Sequence, residues 1–126
     1  MPPLYTFGFE KLEVWKMSRN INKTVYQITN EFPQDEKFGL ISQIRRASVS
    51  VSSNIAEGSA RNSKKDQARF YQFAFSSAVE ILNQMILSYD LGFIDDQKLN
   101  EVRLQISEIT YKLGGLVKTL KKPTNP

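Results

Sequence analysis

"RRASVSVSSNIAEGSARNSKKD" occupies residues 45–66, and its reading decides between a β chain and an all-α one. Ser48-Val49-Ser50-Val51-Ser52 alternates polar and apolar residues with the period of a strand. A strand of that length needs turn signals on both sides. Gly39 lies well before it, and Gly58 comes only after Glu57. Over the same interval Ile41, Ile44, Ser48, Val51 and Ile55 recur at helical steps, with Leu40 and Ala47 at the edge of that face. The unpunctuated run is therefore predicted as helix. Ser and Val form helices poorly, so the value of the serines is smallness. Together with Ala47 and Ala56 they let a neighbouring helix approach, each hydroxyl bonding back to a carbonyl one turn earlier. Gly58 is expected to end the helix in the left-handed conformation, and Asn54 and Glu57 to satisfy loop backbone groups.

Outward from this stretch the same helical period repeats. Val14, Met17, Ile21, Val25, Ile28 and Phe32 mark a first helix over 11–31, which Pro33 ends. The second helix is predicted over 35–57. The third, over 64–91, begins with the capping pattern Ser63-Lys64-Lys65-Asp66 and stops at Gly92. Its main stripe is Phe70, Phe73, Ala74, Ser77, Ile81, Met85 and Ser88. Phe75, Ala78, Val79, Leu82, Ile86 and Tyr89 widen the apolar surface to roughly two-thirds of the wheel. Such width implies a second partner, so Phe75, Val79, Leu82 and Ile86, with Val49 of the second helix, are predicted to form a subunit interface. Asp95 is the expected N-cap of a fourth helix over 96–121. Leu99, Val102, Ile106, Ile109, Leu113, Leu116 and Leu120 give it a heptad stripe, and Gly114-Gly115 suggests a kink or a close approach. The tail from Lys122 onward is expected to fray. These elements specify a single domain, an all-α, up-down-up-down antiparallel four-helix bundle, and the wide third helix adds subunit contacts.

Composition narrows the chemistry. The 126 residues include no Cys and no His, which excludes disulfides, thiolate metal sites and His-dependent catalysis. No inward stripe position carries a carboxylate, so a di-metal bundle centre is not expected. The reading is a non-enzyme without metal or cofactor. Arg45 and Glu80 are assigned to a structural ion pair between the second and third helices. No leader and no membrane-spanning run is evident near the start or elsewhere, which suggests a cytoplasmic protein.

Charge is blocked along the chain. Residues 37–69 carry seven Lys/Arg against two Asp/Glu, and residues 109–126 carry four Lys and no acid. Arg46, Arg61, Lys64, Lys65, Arg69, Lys118, Lys121 and Lys122 are the candidate nucleic-acid-binding residues. Binding through such residues reads the phosphate backbone, depends on salt and selects sequence weakly. The competing reading is an adaptor for a protein partner, with the cations merely solvated.

"FEKLEVWK", "VYQITNEFPQDEKFGLISQIRRASVSVSSNIAEGSAR" and "FYQFAFSSAVEILNQMILSYDLGFI", in that order, resemble the 23S rRNA intervening sequence proteins. That family is named for reading frames in insertions within large-subunit rRNA genes. It is similar to the accessory proteins of diversity-generating retroelements, which form barrel-like homopentamers and bind nucleic acid and a reverse transcriptase. The resemblance implies a ring-like homo-oligomer, a homopentamer, with a nucleic-acid partner, a protein partner such as a reverse transcriptase, and no catalytic residues. Phe75-Ser76-Ser77 departs from a Gly-Ser pair frequent in the family, which bears on packing.

Overall fold

The structure, a computed structural model, describes residues 3–123. Four α-helices follow one another: α1 (Glu13–Thr29), α2 (Leu40–Ser59), α3 (Lys64–Asp90) and α4 (Asp96–Leu120), with 3-10 turns at Gly8–Lys11 and Gln34–Glu36. The serine-valine stretch is helical throughout, inside α2. α1 packs on α2, α2 on α3, α3 on α4, and α4 closes back on α1. Short links reverse the chain between successive helices, which gives the antiparallel bundle. No helix among the described residues is long and apolar enough to cross a membrane. The expected fraying of the tail falls largely on residues 124–126, which lie outside the described range.

Helix boundaries follow local chemistry. α2 starts at Leu40 and not at residue 35, because Gln34–Glu36 winds as a 3-10 turn and Gly39 leaves helical geometry at φ −107°, ψ −109°. Glu36 Oε2 then accepts from the Leu40 amide at 3.3 Å and caps the helix from the preceding turn. Ser63 and Asp95 cap α3 and α4 as expected, accepting from the Asp66 and Lys98 amides at 3.1 and 2.9 Å. α3 ends in a Schellman motif. The Gly92 and Phe93 amides donate to the Tyr89 and Ser88 carbonyls, with Gly92 at φ +80°.

The core is continuous. Ile21, Val25, Ile44, Val51, Ile55, Ala74, Ala78, Ile81, Met85, Ile109 and Leu113 are all buried. Two readings of the pattern are corrected. In α4 the buried position after Leu113 is Val117, while Leu116 and Leu120 stay half-exposed. A straight helix drifts against a strict heptad, so the seam shifts to a step of four. Phe73 is 46% exposed, and Tyr71 takes the inward place. Part of the broad apolar surface on α3 is used within the bundle. α3 lies against both α2 and α4, and Phe75, Leu82 and Ile86 pack partly buried on the chain's own core. Val49 and Val79, at 45% and 47% exposed, are the members of the predicted interface that stay open.

Gly58 does not end α2 in the left-handed region, since Gly92 is the positive-φ glycine among the described residues. Its role is closeness. A Cβ at residue 58 would stand 2.9 Å from Tyr71 Cε1 and 3.0 Å from Phe70 Cβ, so α3 can cross the end of α2 only over a glycine. At Gly114 and Gly115 the opposite holds. A Cβ there meets an ordinary contact with Phe75 at 3.8 Å and open space, so these glycines enforce no close approach, and α4 runs through them unbroken.

The serines do more than leave room. Ser52 and Ser59 bond back to the carbonyls of Val49 and Ala56. Ser48 Oγ instead donates to Asn22 Oδ1 of α1 at 2.9 Å, and Ser50 Oγ lies 2.9 Å from Ser77 Oγ of α3. Alternate serines thus tie α2 to helices on opposite sides. Asn54 bonds Ser50 and not the loop backbone, and Glu57 pairs with Arg61 at 3.8 Å.

Candidate nucleic-acid interface

Antiparallel winding brings the start of α3 and the end of α4 to one end of the bundle. Seven of the eight predicted cations therefore meet there: Arg61, Lys64, Lys65 and Arg69 from one edge, and Lys118, Lys121 and Lys122 from the other. All seven are exposed. Arg46 does not join them. It projects from the first third of α2, about 20 Å up the helix from Ser59 at 1.5 Å rise per residue.

The arginines of the cluster are anchored and its lysines are free. Arg61 spans Glu57 at 3.8 Å and the Phe70 ring at 4.4 Å from its centroid. Arg69 approaches the same ring at 5.1 Å and Phe73 at 5.8 Å, and lies 3.7 Å from Asp66 Oδ1. Phe70 is thus flanked by two guanidinium groups, a contact that restrains both arginines while their side chains stay exposed to solvent. Gln67 Nε2 donates to the Arg61 carbonyl at 3.2 Å and fixes the link between the helices. Glu13 of α1 takes Lys112 at 3.2 Å. The nearby carboxylates are thereby engaged, and Lys64, Lys65, Lys118, Lys121 and Lys122 have no ion-pair partner among the described residues. Ser63 already occupies the Asp66 amide. The attraction this end offers an anion comes from side chains more than from the helix terminus.

Sequence reasoning missed the aromatic part of this surface. Tyr111 is 84% exposed and lines, with Lys112, Gly114, Gly115, Lys118 and Lys121, an open groove of about 640 Å³ along the outer face of α4. The glycines supply no side chain to fill it. The signal in the sequence was an aromatic residue set among lysines in a segment without acids, the pairing that lets a base stack while its phosphate is neutralised. Phe70, expected in the core stripe, is a platform for Arg61 and Arg69.

The predicted ion pair of Arg45 with Glu80 is absent. Arg45 Nε donates to Thr29 Oγ1 of α1 at 2.9 Å, and its guanidinium covers the Tyr26 ring at 4.4 Å. Glu80 is exposed on α3 and accepts from Gln84 Nε2 one turn away at 3.2 Å. The two residues belong to different faces, since Arg45 turns toward α1 and not toward α3. Among the described residues no cluster of His, Cys, Asp and Glu is arranged to hold a metal ion.

Two comparisons place the chain. A protein of unknown function from the S23 ribosomal protein family of Bacteroides thetaiotaomicron has a similar crystal structure. Its TM-score is 0.75 at 20% sequence identity, covering 83% of this chain and 98% of that one. At that identity the likeness shows a shared fold. A search of the curated proteins gave no match. The family model of the 23S rRNA-intervening sequence proteins matches residues 10–115, a span that holds all four helices up to the C-terminal glycine pair, and the chain belongs to that family.

Proposed function

We propose that the protein is a non-catalytic, cytoplasmic, oligomeric bundle that binds the phosphate backbone of RNA or DNA through the cationic end formed by α3 and α4. The observation that carries this reading is the convergence of Lys64, Lys65, Lys118, Lys121 and Lys122, five cations without acid partners among the described residues, beside the exposed Tyr111. Phosphate attraction of this kind is sequence-tolerant and releases counterions. Repetition of the end around a homo-oligomer, a pentamer as the family resemblance implies, would multiply a modest affinity by avidity. No cofactor is part of the proposal. Changing Lys64, Lys65, Lys118 and Lys121 to Glu should abolish mobility shifts of RNA and DNA while leaving the oligomer intact by light scattering. Unchanged shifts would remove the assignment.

A second reading, an adaptor for a protein such as a reverse transcriptase, is favoured by the N-terminal arm. Leu4, Tyr5 and Phe7 are 104%, 77% and 56% exposed, an apolar run left largely open among the described residues. Absence of any retention on nucleic acid at low salt would favour that reading.

A further inference from the structure

Arg45 is unusual in being half-buried without a carboxylate. Thr29 Oγ1 donates its own proton to the Val25 carbonyl at 2.7 Å, so its lone pair is turned to accept from Arg45 Nε at 2.9 Å. The Tyr26 ring, 4.4 Å away, fixes the plane of the guanidinium. Thr29 is 1% exposed, which makes the anchor rigid. The terminal guanidinium N–H groups are left without an ion-pair partner among the described residues. They border an open depression of about 470 Å³ whose other polar lining is Lys37, Ser42 and Arg46, with no acid. Three cations are gathered around one hollow. In a chain with 13 acidic residues, none of them comes to relieve the repulsion there. A pre-oriented guanidinium fork with two exposed cations and a hydroxyl beside it is the donor set that a phosphate group satisfies, and a planar fork binds two of its oxygens at once.

We propose that this depression on the α1–α2 face binds the phosphate group of a phosphate ester, with Arg45 as the fixed ligand, Arg46 and Lys37 as closing cations, and Thr29 as the positioning residue. The site is separate from the cationic end and stands independently of it, because Arg46 lies about 20 Å along α2 from Ser59 at 1.5 Å per residue. It also gives Arg46 a role that the end cluster does not.

The Arg45 Nε–Hε resonance of the full-length protein, assigned through Arg45→Lys, reports occupancy. Inorganic phosphate, AMP and a short single-stranded RNA would be titrated in turn. The RNA arm uses protein carrying Lys64→Gln, Lys65→Gln, Lys118→Gln and Lys121→Gln, so that loss of the end cluster and loss of this pocket are told apart. The expected result is a saturable shift with at least one of the three. The affinity should weaken by about fivefold or more in Lys37→Gln/Arg46→Gln, two exposed positions whose loss leaves Arg45 anchored. A response to phosphate and AMP alone identifies a small ester, and a response to RNA alone identifies a nucleic-acid backbone. No saturable shift with any of them, or a smaller loss in the double variant, overturns the proposal.

Discussion

Ser50 Oγ of α2 and Ser77 Oγ of α3 lie 2.9 Å apart, and Asn54 Nδ2 donates to the same Ser50 hydroxyl at 3.0 Å. Two helices therefore meet through hydroxyls where a larger residue would hold them apart. Ser50→Ala or Ser77→Ala alone should cost about 1 kcal/mol, since each leaves a half-buried partner without its bond. The double variant should cost clearly less than the sum, because it removes both members. Urea unfolding of the double-mutant cycle checks this, and additive losses would mean that the pair contributes nothing.

Two glycines should respond to alanine with opposite sign. Gly58→Ala drives a methyl to 2.9 Å from Tyr71 Cε1 and should cost about 1–3 kcal/mol, because α2 and α3 must separate. Gly115→Ala meets nothing within 4 Å inside α4 and should stabilise by about 0.5–1 kcal/mol. Thermal melts of both variants decide, and a loss at Gly115 would restore the close approach expected from the sequence.

Which parts were legible follows from what periodicity encodes. Helix number, caps at Ser63 and Asp95, and most core positions are set by local spacing, and the structure agrees at Ile44, Val51, Ile81 and Ile109. The partner of Arg45 was not legible, because helical spacing places it at the edge of the core face of α2 without saying whether that edge meets α1 or α3. Buried polar residues such as Ser18, Thr24 and Thr29 escaped for a related reason, since their satisfaction comes from carbonyls one turn back or from across the bundle. Of the candidate site, the cations could be read from charge blocks. Their grouping, and the exclusion of Arg46 from it, needed the antiparallel order of α2, α3 and α4.

Alkaline stability should depend on Tyr71. Burial pushes its phenol above the ordinary value of about 10. A folded-state value above the unfolded one means that the contribution is fully present below about pH 10 and is lost as pH rises through the raised value. Tyr71→Phe should therefore lose less stability than the parent chain between pH 9 and pH 11, measured by urea unfolding. An equal loss in both would remove Tyr71 as the source.

The cationic end is tested most directly by the salt dependence of RNA binding. For the parent chain, log K against log salt concentration should fall steeply. In the variant with Lys64, Lys65, Lys118 and Lys121 changed to Gln, the slope should flatten by up to about 3, near 0.7 for each lost contact to a single strand. Binding that keeps the same affinity and the same slope in that variant would contradict a phosphate-reading surface at this end of the bundle.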